Sequence, residues 1–416
     1  MSIIGSTARR YWIAGVVGVA LALRVIWGLL VPVVPLSDAY AYDILALNLS
    51  QHGIYGFSLG DPSAFWPVGT AAAYALLYDV FGHSYDAVII FNILVGLLIV
   101  VLTMNLVERW FGFEISIITG FIIAVWPTLI QFTTIIASEL LFTALVLSVM
   151  LLVTIRSERS ARGVLFLDIG CGVVMALAAY VRPIALLFPF LFGIILFLRA
   201  YEFRTSLRFA AVTVVTMAAL IAPWTMRNLE VMGTFSIIST NGGVNLWMGN
   251  NPETTGEYQP PPERSAPLSE GEWDRQLGNE AKAHIIEEPV TFVIRTVVKA
   301  VRLYERETIG TVWNAVGIRG AFGDGAVIAF KVLSQAFWIT AVLLFTLGIY
   351  SAWRELGWKL ILHPGIIAIG YMTAVYAVIV IQDRYHIPTI PYIAVFAAIP
   401  IARLLLRRGQ TVQCAI

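Results

Sequence analysis

Apolar stretches close to or above the roughly 18 residues needed to cross a bilayer recur along this chain from end to end. They fall at roughly 11–34, 87–107, 114–132, 136–155, 163–181, 184–199, 208–225, 326–350, 362–381 and 388–404. A helix hydrogen-bonds its own backbone, so lipid can solvate its exterior. The pattern therefore predicts an all-α polytopic membrane protein of about ten transmembrane helices. Composition agrees: 59% of residues are hydrophobic and 13% charged, against about a quarter charged in soluble domains. A net charge of +1 gives no support to nucleic-acid binding. Two cysteines, Cys171 in an apolar run and Cys414 near the end, exclude a disulfide scaffold. The first stretch is too long for the apolar region of a signal peptide and lacks a small-residue cleavage site, so it reads as a retained helix.

Orientation follows from the basic residues of the short loops. One set holds Arg9, Arg10, Arg109, Arg156, Arg159, Arg162, Arg199, Arg204, Arg208, Arg354, Lys359, Arg403, Arg407 and Arg408. The opposite short loops offer little beyond Arg182, Arg227 and Arg384. Both termini are therefore expected in the cytoplasm. The chain divides into a transmembrane core at 1–225, an extracytoplasmic cap at 226–325 and C-terminal transmembrane helices at 326–416. The core carries a first outer loop at 35–86. Within the cap, Val290, Val293, Val297 and Val301 alternate at helical spacing with Arg295, Lys299, Arg302 and Arg306. This suits a helix in the outer interface with its basic face toward lipid phosphates, or a soluble helix packed on the loop domain.

The ionisable residues gather at the outer ends of the spans. A helix opening at Asp38 and ending near Gly53 places Asp38, Tyr42 and Ala46 on one stripe, with Asp43 about 140° away. Asp38 is then either a helix N-cap or a reactive carboxylate. Glu139 opens span four as a helix-end charge, a second acid or a metal ligand. Arg182, Arg227 and Arg384 reach lipid headgroups or bind an anion. Arg24, mid-span, requires a protein partner or water. His83, His284 and His386 show no zinc-ligand spacing.

Taken in order, Asp38, Tyr42, Ala46 and Asn48, then Gly53-Ile54-Tyr55 and Trp66-Pro67-Val68-Gly69-Thr70, resemble the first outer loop of the GT-C glycosyltransferases. The resemblance is to the bacterial family 39/83 relatives of protein mannosyltransferases and of the aminoarabinose transferase of lipid A. Ser138-Glu139, Arg182-Pro183, Pro223-Trp224, Arg227-Asn228, the run from Ile238 to Gly256, and Arg384-Tyr385 continue it along the chain. It implies a GT-C-type bundle with outer loops and interfacial helices. The implied activity is inverting transfer of a hexosyl or pentosyl unit from a polyprenyl-phosphate donor to an acceptor hydroxyl. The acceptor would be lipid A or core saccharide, a lipid-linked glycan or a protein, at the outer face of the cytoplasmic (inner) membrane. Asp38 is then the catalytic carboxylate, drawing a proton from a weak nucleophile. Arg384, Arg227 and Arg182 become donor-phosphate ligands, and Tyr42, Trp66, Tyr385 and Asn241 line the substrate pocket.

The chain departs from the family at two points. Position 39 is alanine where many relatives have an acid, and Phe65-Trp66-Pro67 stands where the aminoarabinose transferases have Glu-Lys-Pro. Metal dependence, on Mg or Mn, is thereby left open, and phosphate binding shifts to arginines elsewhere. Two alternatives are a transporter or flippase of lipid-linked sugars and an O-antigen-type ligase or polymerase. The first expects broken helices with polar residues at mid-membrane depth, the second an outer loop rich in Arg and His.

Overall fold

A computed structural model describes residues 6–158, 164–200, 202–265 and 268–405. Arg159, Arg162, Arg407, Arg408 and Cys414 lie outside these. In chain order, α1 (Ser6–Leu30) is followed by α2 (Asp38–His52), a two-stranded hairpin of β1 (Gly56–Ser58) and β2 (Asp61–Pro62), and α3 (Val68–Phe81). Then come α4 (Tyr85–Phe111), α5 (Phe113–Ala124), α6 (Pro127–Gln131), α7 (Glu139–Ser157), α8 (Val164–Val181), α9 (Phe188–Ala200) and α10 (Phe203–Met232). The segment after α10 holds α11 (Gly242–Asn250), α12 (Glu270–Glu287), α13 (Pro289–Arg302), α14 (Ile309–Trp313) and α15 (Ala315–Phe322). Three helices close the chain: α16 (Asp324–Leu356), α17 (Pro364–Val378) and α18 (Ile390–Leu405).

Each of the ten expected spans has a helical counterpart. Among the described residues, seven helices are long and apolar enough to cross a membrane. An eighth span is broken: Phe113–Ala124 and Pro127–Thr134 meet at 57°. The sequence reads 114–132 as continuous, but Pro127 lacks the N–H an unbroken helix needs and disfavours helical geometry at Trp126. Trp126 is accordingly extended, at φ −65° and ψ 115°. The two remaining counterparts, Pro183–Arg199 and Pro364–Val378, are shorter apolar helices.

The centre of the bundle is α18. Every residue from His386 to Ile399 is buried, with α16 and α5 packed along the helix. A helix surrounded by others must be apolar all round, and this one is. In α1, α10 and α16 most of the apolar surface instead faces outward, as lipid contact requires. Arg24 is fully buried, donating to the carbonyls of Ala20 at 3.1 Å and Ala124 at 3.2 Å. The loops expected on one face are neighbours there, joined by the ion pairs Arg9–Glu108, Arg109–Glu158 and Arg403–Glu355.

Two expectations for 226–325 change. Helices α14 and α15 join the bundle: Asn314 meets Thr134 at 2.8 Å, and Gln131 meets Thr311 at 3.0 Å. The amphipathic helix forms as α13, but with its faces reversed from the reading that points the basic side toward phosphates. Val290, Val293, Ile294, Val297, Val298 and Val301 are exposed. Arg295 and Arg302 instead donate to carbonyls of the 251–255 loop, and Lys299 is buried. The loop turns its carbonyls toward α13, and the long cationic side chains supply donors that satisfy them.

Candidate active site

The loop after α1 ends in a strained residue. Ser37 has φ 54° and ψ −125°, and no other non-glycine residue among those described has a positive φ. The strain costs about 1–3 kcal/mol and turns the chain so that α2 opens with Asp38. At the far end, Gly53 closes α2 in the left-handed conformation at φ 67°. Asp43, on the opposite side of α2, accepts from Tyr78 Oη at 2.6 Å, Tyr85 Oη at 2.9 Å and His83 at 3.0 Å. It fixes the helix to the α3–α4 turn, while Asp38 is left facing a cavity.

Four separate elements bring charge to this cavity. Asp38 comes from the start of α2, Ser138 and Glu139 from the start of α7, Arg182 from the residue after α8, and Arg384 from the 3₁₀ turn Asp383–Thr389. Arg384 pairs through Nη2 with Asp38 and through Nη1 with Glu139 at 3.2 Å. Its Nε donates to Gln382 Oε1 at 2.7 Å. Arg182 donates to the same Glu139 oxygen, Oε1, at 2.5 Å, to Ser138 Oγ at 2.8 Å and to Tyr376 Oη at 2.8 Å. Both guanidinium groups lie over the Tyr385 ring, which stacks on Tyr376. The result is two carboxylates and two guanidinium groups in one network, neutral as a whole and almost closed to solvent. Asp38 is the exception, its side chain 16% exposed against 0% for Glu139 and 5% for Arg384. Of the two acids, it is the one that lines the cavity.

The cavity, about 910 Å³, extends from this network to the segment above it. Tyr42, Trp66, Tyr385 and Asn241 all line it. Tyr42 packs edge-on against Trp66. Burial, with the Asp38 charge adding, pushes its hydroxyl well above the ordinary tyrosine range, so it stays protonated near neutral pH. At the far end Ser236, Ser239, Thr240, Asn241 and Asn245 supply polar side chains. Glu270 ties this end to the first loop, accepting from Ser63 Oγ at 2.7 Å, from Ala64 N at 2.9 Å and from Thr240.

One predicted ligand is elsewhere. Arg227 lies outside the cavity, donating to the carbonyls of Ser63 at 2.8 Å and Tyr55 at 3.2 Å. Its guanidinium lies over Trp224. It staples the first loop to α10 and lies inside that helix rather than at the span end its sequence position suggests. Sequence reading also missed Gln382, Tyr376 and Glu270, uncharged or distant partners with no spacing signal of their own. His386 is another: within the same turn as Arg384, it is buried against Glu307 at 3.2 Å and the Leu303 carbonyl at 2.9 Å.

The donor set does not suit a divalent ion. Among the described residues there is no group of three or more His, Cys, Asp or Glu side chains able to hold one. Both site carboxylates already face guanidinium groups, whose charge a dication would have to approach.

The fold is that of the GT-C class of polytopic membrane glycosyltransferases. Residues 66–226 match the family described as dolichyl-phosphate-mannose-protein mannosyltransferase, a stretch that includes Trp66, Glu139 and Arg182. No curated protein sequence matches the chain. Among solved structures it is similar to the oligosaccharyltransferase of Archaeoglobus fulgidus tethered with an acceptor peptide. That comparison has a TM-score of 0.54 and 14% identity, over 93% of this chain and 49% of that one. The same enzyme in complex with an inhibitory peptide and a dolichol-phosphate gives 0.53 and 15%, over 94% and 50%. ArnT from Cupriavidus metallidurans bound to undecaprenyl phosphate gives 0.46 and 17%, over 93% and 77%. The chain thus spans about half the length of the oligosaccharyltransferase.

Proposed function

We propose that this protein is an inverting glycosyltransferase that moves a monosaccharide from a polyprenyl-phosphate donor to an acceptor hydroxyl. The reaction would take place at the outer face of the cytoplasmic membrane, with both termini inside. The observation that carries this reading is the pairing of Asp38, the one partly exposed acid of the site, with Arg384 at a cavity between the bundle and the segment above it. The donor phosphate takes the Arg384 guanidinium, with Arg182 close by, and Asp38 is released toward the acceptor. Asp38 then accepts the hydroxyl proton as the acceptor oxygen bonds to the anomeric carbon from the face opposite the phosphate. The carbon–oxygen bond to phosphate breaks, and its electron pair leaves with the phosphate, whose growing charge the guanidinium groups stabilise. No step requires a metal. The hydroxyl- and amide-rich far end of the cavity suits the acceptor, a lipid-linked glycan, lipid A or core saccharide, or protein.

Purified protein in nanodiscs, given radiolabelled polyprenyl-phosphate sugars and membrane extract, should produce labelled acceptor with the anomeric configuration inverted. Translocation of the intact donor without transfer would favour a flippase. Labelling only from pyrophosphate-linked donors would favour a ligase or polymerase.

A further inference from the structure

Lys299 is 1% exposed. It projects from the inner face of α13 into a shell of four oxygens: Ile379 O at 2.8 Å, Gly249 O at 3.0 Å, Asn250 Oδ1 at 3.3 Å and Val378 O at 3.3 Å. Gly249 and Asn250 end α11, and Val378 ends α17. One ammonium therefore caps the C-termini of two helices, where unpaired carbonyls and the helix dipoles favour a cation. Burial, with Arg295 adding, brings its pKa down to about 8, and the oxygen shell holds the charge in place near neutral pH.

The surroundings are shaped to this contact. A Cβ at Gly249 would lie 1.6 Å from Ile379 O, so α11 can approach the end of α17 only through glycine. Gly256, at φ 88°, passes the Lys299 stem so closely that a Cβ there would lie 2.7 Å from Cγ. Just beyond, Gly256 O accepts from Ile381 N at 3.0 Å, and Glu257 bridges Ile381 in parallel. Gln382 continues in extended conformation and receives Arg384 Nε. From the carbonyls that Lys299 holds to the guanidinium that spans Asp38 and Glu139 is thus one short run, Val378 to Arg384, tethered to α11 and the 249–257 loop rather than free to swing.

We propose that Lys299 is a positioning residue: by capping α11 and α17 together, it sets the course of the 378–382 segment and hence where Arg384 meets the donor phosphate. This rests on the donor-binding reading of Arg384. Lys299 itself is outside the cavity.

The test compares wild type, Lys299→Met and Lys299→Arg in nanodiscs, by hydrogen exchange, undecaprenyl-phosphate binding and turnover. In Lys299→Met the Ile381 amide should exchange faster. Phosphate binding should weaken, and turnover should fall by about 10²-fold, the scale of a misplacement near 1 Å. Lys299→Arg should recover part of each loss. Gly256→Ala, pressing on the lysine stem from outside, should give the same signature in milder form and serves if Lys299→Met does not fold. Unchanged exchange at 378–382 would overturn the clamp, and faster exchange with unchanged binding and turnover would overturn the positioning role. A wild type that itself bound no polyprenyl phosphate would overturn the donor reading and take that role with it, leaving the exchange difference as a property of the fold alone.

Discussion

The Asp38 carboxylate and the Arg384 guanidinium, 346 positions apart in the chain, form a direct ion pair in the wall of the cavity. Arg384 also reaches Glu139 Oε1, the oxygen that Arg182 holds as well. The pair is therefore the outer member of a four-residue network. A phosphate entering the cavity meets Arg384 only by competing with Asp38, so under the proposed function donor binding and release of the base would be coupled.

Asp38→Asn should leave donor binding measurable and lower turnover by the 10²–10⁴-fold typical of a lost general base. Thermal stability should change little, because the amide keeps the shape and still accepts from Arg384. Retention of more than about a tenth of wild-type turnover would remove Asp38 as the base.

Arg384→Ala should be nearly inactive, and Arg384→Lys clearly impaired. One ammonium cannot reproduce two separate contacts, to Asp38 and Glu139, from a planar fork. Loss should fall on turnover as well as on donor affinity, since phosphate charge grows as the bond breaks. A lysine variant with wild-type kinetics would reduce Arg384 to a generic interfacial charge.

Arg182 and Arg227 should behave differently although the sequence places both at the ends of apolar spans. Arg182→Gln removes a partner of Glu139 and should weaken donor binding. Arg227→Gln frees the Ser63 and Tyr55 carbonyls and should cost about 1–3 kcal/mol of stability with donor affinity nearly intact. Thermal melts paired with binding titrations separate the two; a donor-affinity loss in the Arg227 variant larger than in the Arg182 variant would contradict the geometry.

Ser37→Gly should stabilise the protein by about 1 kcal/mol, since glycine adopts the observed backbone without strain. Ser37 is exposed and its side chain holds little. A lower melting temperature would show that the turn is not strained.

A cysteine at Ser269, the N-cap of α12, should react with an impermeant thiol reagent added to intact cells. Reaction only from the cytoplasmic side would invert the proposed topology and place the site on the wrong face for an exported donor.

Much of this protein is decided locally. Runs of apolar residues determine where helices cross, because each must satisfy its backbone within itself, and ten such runs have ten helical counterparts. Gly53 ends α2 and Pro127 breaks the third span for reasons contained in single residues, although the break is visible in sequence only to a reader who weighs the proline above the apolar run. Charges at span ends singled out Asp38, Glu139, Arg182 and Arg384 because an ionised group in an apolar chain needs a reason to be there. What tertiary structure alone decided is which of those charges meet. Arg182 and Arg227 look alike in sequence, yet one faces Glu139 and the other staples a loop, because direction depends on how α8 and α10 pack. The faces of α13 followed the same rule: periodicity defines two faces, but the carbonyls of the 249–257 loop and the end of α17 drew the basic one inward.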